Sequence, residues 1–251
     1  MAARRLTVRV AGGDDPSVAA EAGSLFVVAT PIGNLEDITL RAMRVLGELD
    51  ALACEDTRRT RAIYEHYDLP RPRSVFSYHR HNEAAAGARI LALLARGKSV
   101  GLVSNAGYPC ISDPGHLVVR QAIEAGHCVD VIPGASAVPC ALIVSGLPTG
   151  AYLFLGFPPR KAGRMQTLLA GAADGEHTLV LFEAPGRVAA LLQAAAAALG
   201  DRRAAVCIEL TKRFEQVHRG YLTELIERVD GMDLRGEVCV VIAGNDRRLV
   251  R

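Results

Sequence analysis

Short apolar runs rich in β-branched residues alternate with helical stretches along this chain, and the runs empty into loops of glycine, proline, serine and asparagine. No other feature constrains the fold as tightly. Strand–helix–strand order predicts a parallel sheet with helices on both faces. The most informative instance is Lys98-Ser99-Val100-Gly101-Leu102-Val103, which reads as a buried strand. It runs into Ser104-Asn105-Ala106-Gly107-Tyr108-Pro109-Cys110-Ile111-Ser112-Asp113-Pro114-Gly115, longer than the about 2–6 residues of an ordinary βα connection. A helix start at Ser112 or Asp113 would put Pro114 at the first helical position and Leu117, Val118 and Ala122 on one apolar stripe. Open α/β sheets build ligand sites from such loops, at the carboxyl ends of their strands.

Strands are expected over 25–30, 51–54, 74–78, 98–103 and 129–132, with helices over 38–49, 57–67, 83–95 and 137–145. Gly146-Leu147-Pro148-Thr149-Gly150 then punctuates the chain. Beyond it strands are expected over 152–155, 178–182, 205–210, 215–219 and 237–243, and helices over 162–172, 187–199 and 222–229. Consecutive strands around 211–214 predict a hairpin, hence a mixed second sheet. The expected organisation is a flexible tail over 1–23, an α/β domain over 24–147 with a mostly parallel sheet, and a second α/β domain over 148–251.

With 251 residues, 50% of them hydrophobic, the chain can bury one large core or two ordinary ones. A formal net charge of +2 is too mild for a protein that coats nucleic acid, so any RNA contact would have to come from a local patch. The 6 cysteines, Cys54, Cys110, Cys128, Cys140, Cys207 and Cys239, form no Cys-x-x-Cys pair. They read as reduced, buried thiols rather than a disulfide frame or zinc site. No apolar run reaches the ~18 residues of a membrane span, and Arg4 and Arg5 precede no signal-like apolar stretch. A cytoplasmic protein without membrane contact is expected.

The first strand leads into Thr30-Pro31-Ile32-Gly33-Asn34, with a single glycine. The Gly-x-Gly-x-x-Gly dinucleotide fingerprint is therefore missing, and so is any Gly-x-x-x-x-Gly-Lys phosphate loop. That argues against Rossmann NAD enzymes, P-loop NTPases and the commonest Rossmann-type methyltransferases together. Small or polar clusters at 30–34, 55–58, 104–115, 133–137 and 183–187 follow strands instead. A cleft lined by such loops suits a flat, uncharged group with a polar tail. His79-Arg80-His81 would place two histidines on one face of an extended segment, but no third ligand has metal-site spacing, so no metal is expected.

Several motifs occur in a telling order: 29–39 (Ala-Thr-Pro-Ile-Gly-Asn-Leu-Glu-Asp-Ile-Thr), Cys54-Glu55-Asp56-Thr57-Arg58, His81-Asn82-Glu83, the 104–115 loop and Pro133-Gly134-Ala135-Ser136-Ala137. Ser145-Gly146-Leu147-Pro148, Gly156-Phe157-Pro158-Pro159-Arg160-Lys161, Glu209-Leu210-Thr211-Lys212 and Gly236-Glu237 continue it. In this order they resemble the tetrapyrrole-methylase superfamily and, within it, the ribosomal RNA small subunit methyltransferase I family, over about residues 25–244. The resemblance implies methyl transfer from S-adenosyl-L-methionine to the ribose 2′-oxygen of a cytidine in the decoding region of 16S rRNA, within the 30S subunit. It also implies two α/β domains with a ligand cleft between them, and a homodimer. The family usually has Ser-Asp-Ala-Gly-Thr-Pro where this chain has Ser104-Asn105-Ala106-Gly107-Tyr108-Pro109. Asn105 keeps the size but loses the charge, and Tyr108, far bulkier than threonine, would reshape the cofactor mouth. The chain stops at Arg251, before the extra segment of longer members, which implies fewer RNA contacts.

Carried onto this sequence, the cofactor would be held by Pro31, Ile32, Gly33, Ser104, Asn105, Ala106, Ser136 and Ala137, the last two by motif position alone. A ribose hydroxyl is a poor acid, so a positioned base would add ~10²–10⁴-fold. Glu55, Asp56, Glu183, Glu209 and Lys212 are the candidates. Asp56 could equally cap a helix beginning at Thr57 and pair with Arg58. Lys212 could lose its proton if buried, hold a phosphate, or pair with Glu209. For RNA, Arg58, Arg59 and Arg61 form one cluster and Arg160, Lys161 and Arg164 another, with His81 as a further contact. The second cluster opens a helix, where positive charge opposes the macrodipole and a phosphate would relieve the conflict; the alternative is a solvated basic turn. Two other functions remain open at this level: a methyltransferase of the same fold acting on a small-molecule or protein substrate, and a non-catalytic module that binds RNA or cofactor.

Overall fold

A computed structural model describes residues 23–251, so the tail expected over 1–23 lies, apart from Gly23, outside the described residues. Contacts divide the chain into two units between Ser136 and Ala137.

The first unit is built on a sheet of β1 (Ser24–Val28), β2 (Ala51–Cys54), β3 (Ser74–Ser77), β4 (Ser99–Val103) and β5 (Cys128–Ile132), in the order β3-β2-β4-β1-β5. Every neighbouring pair is parallel. The helices are α1 (Leu40–Glu48), α2 (Thr57–His66), α3 (Glu83–Leu94) and α4 (His116–Glu124). Successive residues of a strand point to opposite faces, and here both faces are apolar. Leu25 and Val27 pack with Ile90, Leu94 and Val118 from α3 and α4. Phe26 and Val28 pack with Val45, Leu46 and Ile63 from α1 and α2. Burial on both sides explains why the inner strands β1, β2 and β4 read as nearly continuous apolar runs; the edge strands β3 and β5 are more open, with Val75 and Val131 exposed.

The start of α4 differs from expectation. Cys110 and Ser112 have φ of 72° and 65°, and Gly115 has φ of 140°, so the backbone stays non-helical until His116 and Pro114 lies before the helix. Two side chains hold it there: Arg80 Nη2 donates to the Ser112 carbonyl (2.9 Å), and Gly115 N donates to Glu83 Oε1 (3.1 Å). A Cβ at Gly115 would meet Cys110 Sγ at 2.7 Å, which reserves the position for glycine.

The second unit carries α5 (Ala137–Ser145), α6 (Ala162–Ala170), α7 (Val188–Leu199) and α8 (Leu222–Asp230). Its sheet comprises β6 (Tyr152–Gly156), β7 (Thr178–Glu183), β8 (Arg203–Ile208), β9 (Gln216–Tyr221) and β10 (Val238–Ile242), ordered β6-β7-β10-β8-β9. Only β6–β7 is parallel; the other pairs, including the β8–β9 hairpin, are antiparallel. Met165, Leu169, Leu191, Leu192, Leu222 and Leu225 cover one face of this mixed sheet. The division at 136/137 falls earlier than the glycine- and proline-rich stretch at 146–150 suggests, because α5 packs on β8 and β10. Arg219 Nε of β9 also donates to the Val144 carbonyl of α5 (2.8 Å).

Candidate functional site

In the first unit the loops leaving the carboxyl ends of β1, β2, β4 and β5 are tied to one another. Thr30 and Gly107 exchange two backbone hydrogen bonds, N to O at 2.9 and 3.0 Å, as an isolated antiparallel bridge. Glu55 Oε2, after β2, accepts from Asn105 N at 3.1 Å. Tyr108 Oη accepts from Gly134 N, after β5, at 3.0 Å. Ser104 is buried, and its hydroxyl donates to the Ala106 carbonyl at 3.2 Å. The 104–115 loop is thus the hub, and each neighbouring strand end contributes one tie.

Close approach within this cluster depends on small residues. Gly107 has φ of 70°, and a Cβ there would meet Ile32 Cγ2 at 3.4 Å. A Cβ on Gly134 would lie 3.0 Å from Ala29 Cβ. Pro31 and Ile32 are buried, Gly33 is exposed, and Ala106, Ser136 and Ala137 are half-buried. Ser136 closes the first unit and Ala137 opens α5 of the second. Asn105 Oδ1 is buried without a hydrogen-bond partner. Such an atom costs about 1–3 kcal/mol unless a ligand or water satisfies it, so the cluster offers both a close backbone approach and an unmet polar group. Within the first unit, the Asn105 Oδ1 acceptor is the group here that a ligand donor could satisfy.

The residues singled out as bases fall into two groups. Asp56 caps α2: its carboxylate accepts from Arg58 N (2.9 Å) and pairs with the Arg58 guanidinium (2.9 Å). Arg58 holds its pKa down at about 2, so it is ionised and strongly committed. Glu55, beside it in sequence, reaches the 104–115 loop instead. Glu183, Glu209 and Lys212 belong to the second unit. Glu183 is almost wholly buried; its Oε1 accepts from Ala184 N (2.9 Å), and its Oε2 lies 3.0 Å from the Arg187 guanidinium without a hydrogen bond of its own among the described residues. Lys212 Nζ sits between Glu209 Oε1 (2.7 Å) and Glu237 Oε2 (3.2 Å). Burial alone would lower the Lys212 pKa, yet hydrogen bonds to the two carboxylates outweigh it and raise it. Burial likewise pushes Glu209 up, and Lys212 with the Glu237 N–H more than reverses it. This is a charged pair, as one sequence reading had it, and not a neutral amine.

Of the basic residues, Arg58 pairs with Asp56 and Arg61 with Glu65 (2.7 Å). Arg59 is exposed, as is His81, whose ring lies 6.0 Å from that of His79. Arg160, Lys161 and Arg164 are all exposed and have no ion pair among the described residues; Lys161 is the N-cap of α6 and provides no side-chain cap. No group of three or more His, Cys, Asp or Glu among the described residues is placed to hold a metal ion. No helix among them is long and apolar enough to cross a membrane.

Two parts of the framework escaped the sequence reading. Glu83 accepts from both Tyr78 Oη (2.9 Å) and Gly115 N (3.1 Å), fixing the far end of the 104–115 loop. Burial and the Glu83 carboxylate push the Tyr78 phenol well above its ordinary pKa. Asp37, in the turn after β1, has a buried Oδ2 without a partner. Both residues stand inside motifs already singled out, but nothing in the spacing says which carboxylate turns inward.

A family model for tetrapyrrole (corrin/porphyrin) methylases matches residues 24–226. Ribosomal RNA small subunit methyltransferase I of Halalkalibacterium halodurans is 42% identical over 90% of this chain and 78% of its own length. The protein of that name from Mesorhizobium japonicum is 45% identical over 87% of this chain and 74% of its own length. Among solved structures, uroporphyrin-III C-methyltransferase from Thermus thermophilus complexed with S-adenyl homocysteine has a TM-score of 0.60 at 21% identity. It covers 88% of this chain and 96% of that one, a likeness of fold. With the woven loops above and identity at this level across most of its length, the chain belongs to the tetrapyrrole methylases and, among them, to the ribosomal RNA small subunit methyltransferase I family.

Proposed function

We propose that this protein transfers a methyl group from S-adenosyl-L-methionine to the 2′-hydroxyl of a cytidine ribose in the decoding region of 16S rRNA, acting on the 30S subunit as a homodimer. The observation that carries the reading is the interlocked set of strand-end loops around Asn105, joined to the likeness to ribosomal RNA small subunit methyltransferases I. The cofactor, when bound, supplies an electrophilic methyl group on a sulfonium centre. The main chain of residues 104–107 and the turn at Pro133-Gly134-Ala135-Ser136 form the binding surface, with Pro31, Ile32 and Gly33 closing one side. The unpartnered Asn105 Oδ1 accepts a hydrogen bond from the ligand.

Transfer needs the ribose oxygen in line with the methyl group, and holding two ligands so is worth ~7–11 kcal/mol. Rigidity of the loop cluster is therefore the chain's main contribution. For the hydroxyl proton, Asp56, Glu183, Glu209 and Lys212 are already engaged in internal ion pairs. Glu55 uses only Oε2, on Asn105 N, and its other oxygen has no partner among the described residues. It is the carboxylate left to receive that proton. Arg59, Arg160, Lys161 and Arg164, without acidic partners among the described residues, supply phosphate contacts.

The test is incubation with tritiated S-adenosylmethionine and 30S subunits from cells lacking the activity. Label on one cytidine ribose, at a position resistant to alkaline cleavage, is the expected result. Label on a base, or cofactor binding by calorimetry with no label, would refute the assignment. Light scattering of the purified protein checks the dimer.

A further inference from the structure

The strand β6 is an edge of the second sheet, and it ends in a bulge. Its pairing with β7 slips between Phe154 and Gly156, and Gly156 adopts φ of 62°. Bulges of this kind re-aim the following side chain. The next residue, Phe157, is 59% exposed. Its ring is tilted at 59° to that of Phe182, with centroids 5.6 Å apart, and Phe182 in turn packs on Phe154 at 4.9 Å. The aromatic side chain is thus supported from below and open above. An exposed phenylalanine costs free energy in water unless something covers it.

The loop that follows is held firmly. Pro158 is buried, the Pro159 carbonyl accepts from Arg187 Nη2 at 3.3 Å, and Arg187 is anchored by the buried Glu183. Two prolines and a buried ion pair leave this segment little freedom to lose on binding. Along it stand Arg160, Lys161 and Arg164, exposed and unpaired among the described residues. A rigid aromatic face next to three unpartnered cations has the composition of a single-strand nucleic-acid platform: the ring stacks on a base and the cations meet phosphates. A duplex, whose bases are already stacked, cannot use the ring. We infer that Phe157 with Arg160, Lys161 and Arg164 forms a docking surface for single-stranded RNA, on which one unstacked base lies against the Phe157 ring. This goes beyond the phosphate contacts proposed above and rests on the rRNA reading.

The test uses fluorescein-labelled oligocytidylate and a matched RNA duplex, titrated by anisotropy across a series of salt concentrations. Wild type should prefer the single strand. Phe157→Ala should weaken oligocytidylate binding about 5- to 100-fold while leaving its salt slope unchanged, and Phe157→Trp should restore the affinity. Lys161→Ala should instead reduce the slope by about 0.7, the share of one phosphate contact on a single strand. Equal affinity of Phe157→Ala and wild type, or a loss that falls equally on the duplex, would overturn the inference. A change in sedimentation coefficient with Phe157→Ala would assign the exposed edge to a second copy of the chain and overturn it too. Methylation of 30S subunits is measured alongside. Wild-type label with an unaltered KM for Phe157→Ala removes the platform but keeps the enzyme; absence of wild-type label removes the rRNA reading itself.

Discussion

Replacing Gly236 by alanine tests whether the Glu209–Lys212 pair is a structural clasp. Gly236 has φ of 80°, and a Cβ there would lie 2.0 Å from Glu209 Oε1. No side chain tolerates that distance, so the Glu209 carboxylate must leave. It would give up the hydrogen bonds from Lys212 Nζ (2.7 Å) and Glu237 N (2.8 Å). A left-handed φ costs a residue with a Cβ about 1–2 kcal/mol. Hydrogen bonds to a charged group are worth about 1.5–3 kcal/mol each. Partial solvation of this cluster reduces that to near 1 kcal/mol apiece. The sum, about 3–4 kcal/mol, corresponds to a fall in Tm of about 6–16 °C for a chain of this size. Circular dichroism during heating and in urea reads it. Gly163→Ala is the control, because a Cβ there meets nothing within 4 Å and the position is helical. The sign of the pH dependence is fixed by the same contacts. Glu209 is held below its usual pKa, so its contribution is complete above about 4.3 and lost as pH falls through the lower folded value. Lys212 is held above its usual pKa, so its contribution is complete below about 10.4 and lost as pH rises through the higher folded value. The gap between Gly236→Ala and wild type should therefore be widest between these limits and narrow on either side. A Tm shift no larger than that of Gly163→Ala, or a gap independent of pH, would refute the clasp.

Three further outcomes follow from the first unit. Asp56→Asn should keep the α2 cap but lose the Arg58 ion pair, so its stability deficit relative to wild type should be present at neutral pH and vanish as pH falls toward about 2, where Asp56 itself protonates; denaturant melts at several pH values check it. Tyr108→Phe strips Gly134 N of its acceptor and should raise the dissociation constant for S-adenosylhomocysteine about 3- to 10-fold by calorimetry, the size of one hydrogen bond near 1 kcal/mol. Asn105→Leu should act in opposite directions on two readouts. Removing a buried unpartnered amide oxygen raises the Tm of the ligand-free protein, while affinity for S-adenosylhomocysteine falls about tenfold; a Tm that falls in step with affinity would mean that the amide is satisfied without ligand.

How much of this was legible in the residues depends on which atoms do the work. Apolar runs such as Val100-Gly101-Leu102-Val103 place the inner strands of the first sheet, because burial on both faces imposes the same requirement on successive side chains. Asp56 read as a cap because capping is a local bond, two residues long. The hairpin of β8 and β9 followed from the same kind of local signal. The start of α4 differs because Pro114 favours a first helical turn, whereas the bonds from Arg80 and Glu83 that keep this stretch out of the helix span 32 residues, the kind of distant contact that overrides local preference. The division of contacts at 136/137 rests on different information from the bend at 146–150: glycines and prolines mark where a chain turns, while α5 is grouped with its unit by what it packs against.

The candidate site sharpens the same point. Three of its ties are made by main-chain atoms of Thr30, Asn105, Gly107 and Gly134, and a backbone N–H is present whatever side chain stands there. Asparagine at position 105 therefore leaves the bond to Glu55 Oε2 intact, and changes only what the side chain offers a ligand. Tyr108 is different, because its hydroxyl is itself the tie to Gly134, and threonine is too short to make the same reach. The larger residue does not merely crowd the mouth of the site; its hydroxyl takes up the Gly134 N–H in an internal bond across to the loop after β5. A chain with asparagine and tyrosine at these positions thus keeps the woven frame and presents a neutral amide at position 105, with the Glu55 side chain bonded to the N–H beside it.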